Sequence, residues 1–110
     1  MYTFAVSLDR VVKLNLANEV ILIEYKQNGR RLLFHTDCGC KKNITSLRDM
    51  YSVLKSVDYV RSENYLINTR HVVGIRGNTA IMSNGMEVYL TRQGKKELKA
   101  LLRKGLDHQF

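Results

Sequence analysis

The chain contains no proline and no Gly/Ser-rich or low-complexity stretch. Nothing in it marks a linker or an internal domain boundary. With 110 residues, a single domain over 1–110 with one modest core is expected. Long apolar runs are missing too, and none approaches the ~20 residues that span a bilayer. The opening MYTFAVSLDRVVKLNL lacks the basic head, apolar stretch and small-residue cleavage site of a signal peptide. A cytoplasmic protein without membrane insertion is expected. Cysteine is scarce. Cys38 and Cys40 stand one residue apart, a spacing that would strain a disulfide and that lacks the wider, four-ligand pattern of metal sites. They read as two reduced thiols near a turn. Acidic residues are short against basic ones, 10 to 18, leaving a net charge of +8. Such an excess favours a polyanionic partner, either nucleic acid or an anionic membrane surface.

Catalytic patterns are also missing. His35, His71 and His108 are scattered, and Asp9, Asp37 and Asp49 fall on unlike elements. There is no His-x-x-x-His or Cys-x-x-Cys pair and no phosphate-binding glycine loop. The expectation is a non-enzyme without metal or cofactor. His35 reads as a plain surface or strand-edge residue.

What is present reads mostly as short strands separated by turns. Candidates run over Tyr2–Leu8, Val11–Leu16, Glu19–Tyr25, Arg31–Thr36 and Cys40–Ile44. Asn28-Gly29 turns the third into the fourth. Leu47, Met50, Leu54 and Val57 then recur at helical spacing, with Ser46 and Asp49 as a capping box. Strand patterns resume at Tyr65–Asn68 and Val72–Arg76. Ala80–Ser83 and Glu87–Leu90 flank Asn84-Gly85, the best hairpin signal in the chain. A short helix is expected over Lys95–Lys104, with Leu98, Leu101 and Leu102 inward and Gly105 as its stop. Tyr65, Leu66 and Ile67 read as core, and Asn68 as a side chain bonding backbone at a strand end.

Positive charge collects at three loops: Lys26, Arg30 and Arg31 around the first turn; Arg61 beside Ser62-Glu63-Asn64; and Arg92, Lys95 and Lys96 after the last strand. Each cluster alone is compatible with solvated surface charge. Arginine, however, can bridge guanine O6 and N7 with its planar fork, so Arg30 and Arg92 are the candidates for reading bases. Lys26, Arg31, Lys95 and Lys96 are candidates for phosphate contacts.

These residues carry a resemblance. From Asn18 to Leu102 the chain resembles the LytTR DNA-binding domain, through VILIEYKQNGRRLLFHTD, SLRDMYSVL followed by YVRSENYLINTRHVVGI, and YLTRQGKKEL. The resemblance implies a mainly β fold of stacked short antiparallel sheets, with one small helix between strands and a short C-terminal helix. It implies the output domain of a bacterial response regulator or transcriptional regulator, of the two-component systems that govern quorum sensing and virulence. Loops would enter successive major grooves of double-stranded DNA at paired direct repeats in promoters. The family's base-contacting positions match Arg30, Glu63 with its neighbours Ser62 and Asn64, and Arg92. Arg61 and Ser62 would join the phosphate contacts. A homodimer on DNA and an inhibitory or signalling protein partner are further implied possibilities.

The second loop departs from the family, which commonly carries His, Arg or Asn, and Ser there. Glu63 is repelled by phosphates but can accept a hydrogen bond from cytosine N4. Asn64 can read adenine or cap its own turn. Glu63 also leaves a second function open, an interaction module that has lost specific DNA reading and regulates through a partner protein. No receiver domain precedes the module in this sequence, so both an excised output domain and a stand-alone regulator are expected possibilities. Single-stranded nucleic acid binding would need aromatic stacking platforms, and the aromatics mostly fall within strand or helix patterns.

Overall fold

The computed structural model describes residues 2–7, 10–26, 31–43, 54 and 58–108, with side chains for 11–26, 31–39, 54 and 58–103. Among the described residues, ten strands precede one long helix. They are β1 Tyr2–Ser7, β2 Arg10–Asn15, β3 Val20–Lys26, β4 Arg31–Thr36 and β5 Gly39–Asn43, then β6 Tyr59–Ser62, β7 Tyr65–Asn68, β8 Val72–Arg76, β9 Thr79–Met82 and β10 Glu87–Tyr89. The helix, α1, is Arg92–His108. A seven-stranded sheet takes the order β2-β1-β5-β4-β3-β7-β6, and a three-stranded sheet takes β10-β9-β8. Every pairing among the described residues is antiparallel.

The strands follow from side-chain alternation. In β4, Leu32 and Phe34 are fully buried while Arg31 is exposed, the period of two that a pleated strand imposes. β3 breaks that period. A bulge between Val20 and Leu22 turns both Ile21 and Leu22 to one face and leaves Val20 and Ile23 on the other. The strand is therefore buried on both sides and divides two cores. One gathers Leu16, Val20, Ile23, Leu32, Phe34 and Leu54. The other packs Ile21, Leu22, Ile67, Met82, Leu90 and Leu98 between the two sheets and α1.

Two expectations change. Tyr59–Ser62 is a strand paired with β7, although only its partner carried a clear strand pattern. Tyr59 and Val60 are buried on opposite faces and belong to different cores, so the segment lacks a polar alternation to read. The helix begins at Arg92 rather than Lys95 and continues through Gly105 to His108. Thr91 caps it: the Gly94 amide donates to Thr91 Oγ1 at 3.0 Å, which satisfies a first-turn N–H and starts the helix early. The capping-box helix expected around Leu47–Val57 lies outside the described residues apart from Leu54, which is helical and buried.

Asn68 ties the end of β7 to the turn before β3. Its Nδ2 donates to the carbonyls of Ala17 at 2.9 Å and Val20 at 2.8 Å, and its Oδ1 accepts from the Arg70 amide. The Tyr59 hydroxyl donates to the Leu16 carbonyl at 2.6 Å, and burial pushes that phenol far above its ordinary pKa. Replacing Asn68 by Leu keeps the volume but strands these buried carbonyls. It is expected to cost roughly 1–3 kcal/mol in urea unfolding. An unchanged midpoint would show that the turn holds without the amide.

Candidate nucleic-acid interface

The strand registers bring the basic loops to one end of the molecule. Lys26 pairs with Arg31, so β3 ends and β4 begins there. Ser62 pairs with Tyr65, which closes the β6–β7 hairpin on Glu63 and Asn64. β3 pairs with β7 through Glu24 and Tyr65, and the Tyr25 amide donates to the Asn64 carbonyl at 2.8 Å. The end of β3 therefore lies beside the β6–β7 turn.

The start of α1 joins them through Ser62. Its side chain is only 1% exposed. Its Oγ donates to the Tyr89 carbonyl at 3.2 Å and accepts from the Thr91 amide at 2.9 Å. Gly94 packs against it, and a Cβ there would sit 3.0 Å from both Ser62 Cβ and Ser62 Oγ. Helix and hairpin approach so closely because Gly94 has no side chain. On the other flank, the Leu90 amide donates to the Asn78 carbonyl at 2.7 Å, and Lys95 Nζ to Asn78 Oδ1 at 3.2 Å. The β8–β9 turn thus reaches the same end.

The expected contact residues divide. Arg61, Glu63, Asn64, Arg92 and Lys96 are exposed, as are Lys26 and Arg31 at the strand ends; Lys95 is half-buried. Arg30 lies outside the described residues. Ser62 is turned inward, and its hydroxyl is committed to the start of α1. As a phosphate contact it is replaced by a structural role. Glu63 sits at φ 52°, a left-handed backbone that costs a residue with a Cβ about 1–2 kcal/mol. The hairpin holds it there because its two-residue connection requires positive φ.

Beside this end lies a polar group that the sequence reading missed. Glu24 accepts from Lys26 Nζ at 3.1 Å, contacts His35 Nε2 at 3.0 Å and accepts from the Tyr65 hydroxyl at 3.4 Å. His35 is therefore no plain edge residue. The signal for it lay in Glu24 and Lys26, two apart on one face of a strand and opposite β4. Burial alone would raise the Glu24 carboxyl. Hydrogen bonds and charge from Lys26 and His35 outweigh it and hold the carboxyl below its ordinary value. Desolvation and Glu24 raise the Tyr65 phenol. Among the described residues, no group of His, Cys, Asp or Glu could hold a metal, and no helix is long and apolar enough to cross a membrane.

Basic loops gathered at one end of a β scaffold define a class of proteins that meet a polyanion with loops. Residues 9–103 match the LytTr DNA-binding domain. The chain belongs to that family and is a DNA-binding domain. The fold is similar to a solved LytTr DNA-binding domain, from a protein described as a methyl-accepting/DNA response regulator of Bacillus cereus. That likeness has a TM-score of 0.76 at 17% identity and covers 92% of this chain and 95% of the other. No curated protein matches the sequence.

Two outcomes follow from this geometry. Gly94→Ala should lower stability by about 1 kcal/mol, because overpacking against Ser62 and Thr91 exceeds the gain in helix propensity. A rise in the urea midpoint would mean that the junction yields. Glu24 should stabilise the fold fully above the unfolded carboxylate pKa of about 4.3 and lose that contribution as pH falls through its lowered folded value. The stability gap between the wild type and Glu24→Gln should therefore be constant near neutrality and shrink below about pH 4. A gap independent of pH would contradict the ion pairing.

Proposed function

We propose that the protein is a transcriptional regulator that binds double-stranded DNA sequence-specifically, with its loops in the major groove at paired direct repeats. The convergence of the basic ends of β3 and β4, the β6–β7 turn and the β10–α1 connection at one end supports this reading. In it, Arg30 and Arg92 read bases. Lys26, Arg31, Arg61, Lys95 and Lys96 meet phosphates. Glu63 and Asn64 form the tip of the middle loop, where Glu63 accepts from cytosine N4 and Asn64 reads adenine. Ser62 positions that loop against the start of the helix. Action in the cytoplasm, as the output of a two-component system, fits the family.

The exposed carboxylate of Glu63 supports a second reading, a module whose direct DNA reading is blunted and which acts through a protein partner. Arg92→Ala separates the two. Under the first reading it should lower the preference for selected over random duplex by roughly 1–3 kcal/mol. Lys96→Ala should weaken both about equally, and affinity should fall steeply with salt. A preference untouched by Arg92→Ala would remove Arg92 from base reading. Absence of any duplex preference in the wild type, beside a stable protein complex, would favour the second reading.

A further inference from the structure

A depression of about 450 Å3 opens between the β8–β9 turn and the first turn of α1, lined by Asn78, Tyr89, Leu90, Arg92 and Lys95. Two of its walls are cationic and none is acidic. Tyr89 stands 57% exposed at its rim, although it is a large side chain on a short strand. Asn78 has a fixed polarity here. Lys95 Nζ can only donate, so the 3.2 Å bond to Asn78 requires the amide oxygen on that side. The two Nδ2 donors of Asn78 then point away from Lys95, and no described residue accepts from them. The backbone of Asn78 is held as well, since its carbonyl accepts from the Leu90 amide. The lining of the depression thus combines an amide with spare donors, on a fixed turn, with an ammonium and a guanidinium. These groups suit a tetrahedral anion bearing several acceptor oxygens.

We propose that this depression holds one phosphodiester of bound DNA, with Asn78 and Lys95 as its ligands and Arg92 free to extend past it toward the bases. The β8–β9 turn, which carries no basic cluster, thereby becomes a further DNA-contacting loop. The inference rests on the DNA-binding reading above and adds a contact residue to it. Its position agrees with the register, because Thr79 pairs with Tyr89 and so sets the turn at the same end as the basic loops.

The test is Asn78→Asp, which keeps an acceptor for Lys95 but replaces the Nδ2 donors by a negative oxygen. Urea midpoints check that the fold persists, and Asn78→Ala serves if it does not. Fluorescence anisotropy against both a selected and a random duplex should show about tenfold weaker binding of Asn78→Asp to each. The slope of log affinity against log salt should fall by about one phosphate equivalent. Equal affinity and slope in wild type and variant would overturn the phosphate site while leaving DNA binding intact. Inorganic phosphate that shifts the NMR signals of the depression, with duplex binding indifferent to Asn78→Asp, would mean a free-anion site and overturn the assignment to DNA. A wild type that binds no duplex would overturn the parent reading along with it.

Discussion

The hydroxyl of Ser62 is the constraint on which the basic end of the molecule depends. It bridges the last residue of β6 to the carbonyl of Tyr89 and the amide of Thr91. It thereby locks a hairpin of the large sheet to the point where the small sheet hands over to the helix. Gly94 lets the helix come close enough for this to happen, and Thr91 caps the helix while donating its own amide to Ser62. Loops that read DNA must be fixed relative to one another, because misplaced donors leave base edges and phosphates unpaired. Here a buried serine, donating one hydrogen bond and accepting another, fixes two loops far apart in sequence.

The opposite end is held by different means. Asn68 and Tyr59 bond the carbonyls of residues 16–20. His71 spans from Ser83, at 2.9 Å, to the Asn18 carbonyl, at 2.7 Å, with Nε2 donating to that carbonyl. This network fixes the large sheet against the small one. At the basic end, Glu63 holds a strained backbone at the tip of the β6–β7 turn. Strain of this kind persists only where surrounding structure over-determines it, and the paired ends of β6 and β7 provide that.

Much of this was legible in the sequence because most strands carry their own signals. β4 alternates, Asn84-Gly85 announces a turn, and YLIN marks a strand ending in a structural amide, as Asn68 proves to be. β6 was not legible, since burial on both faces removes alternation. The early start of α1 was not legible either. A glycine in a first turn reads as a break, and only the contact with Ser62 shows why it is tolerated. Ser62 itself, polar and next to a basic residue, read as surface. Its burial depends on a partner 29 residues away, which no local pattern reveals. The same holds for His35, whose role comes from Glu24 across the strand pair.

The central claim is that one end of the molecule, and not the other, meets DNA. Hydrogen exchange on the free protein and on its complex with a duplex enriched from a random pool tests it most directly. The account predicts added protection at residues 25–31, 61–65, 77–79 and 89–96, with residues 16–19, 69–71 and 83–85 unchanged. Protection concentrated on that second set, or spread evenly over both ends, would contradict it.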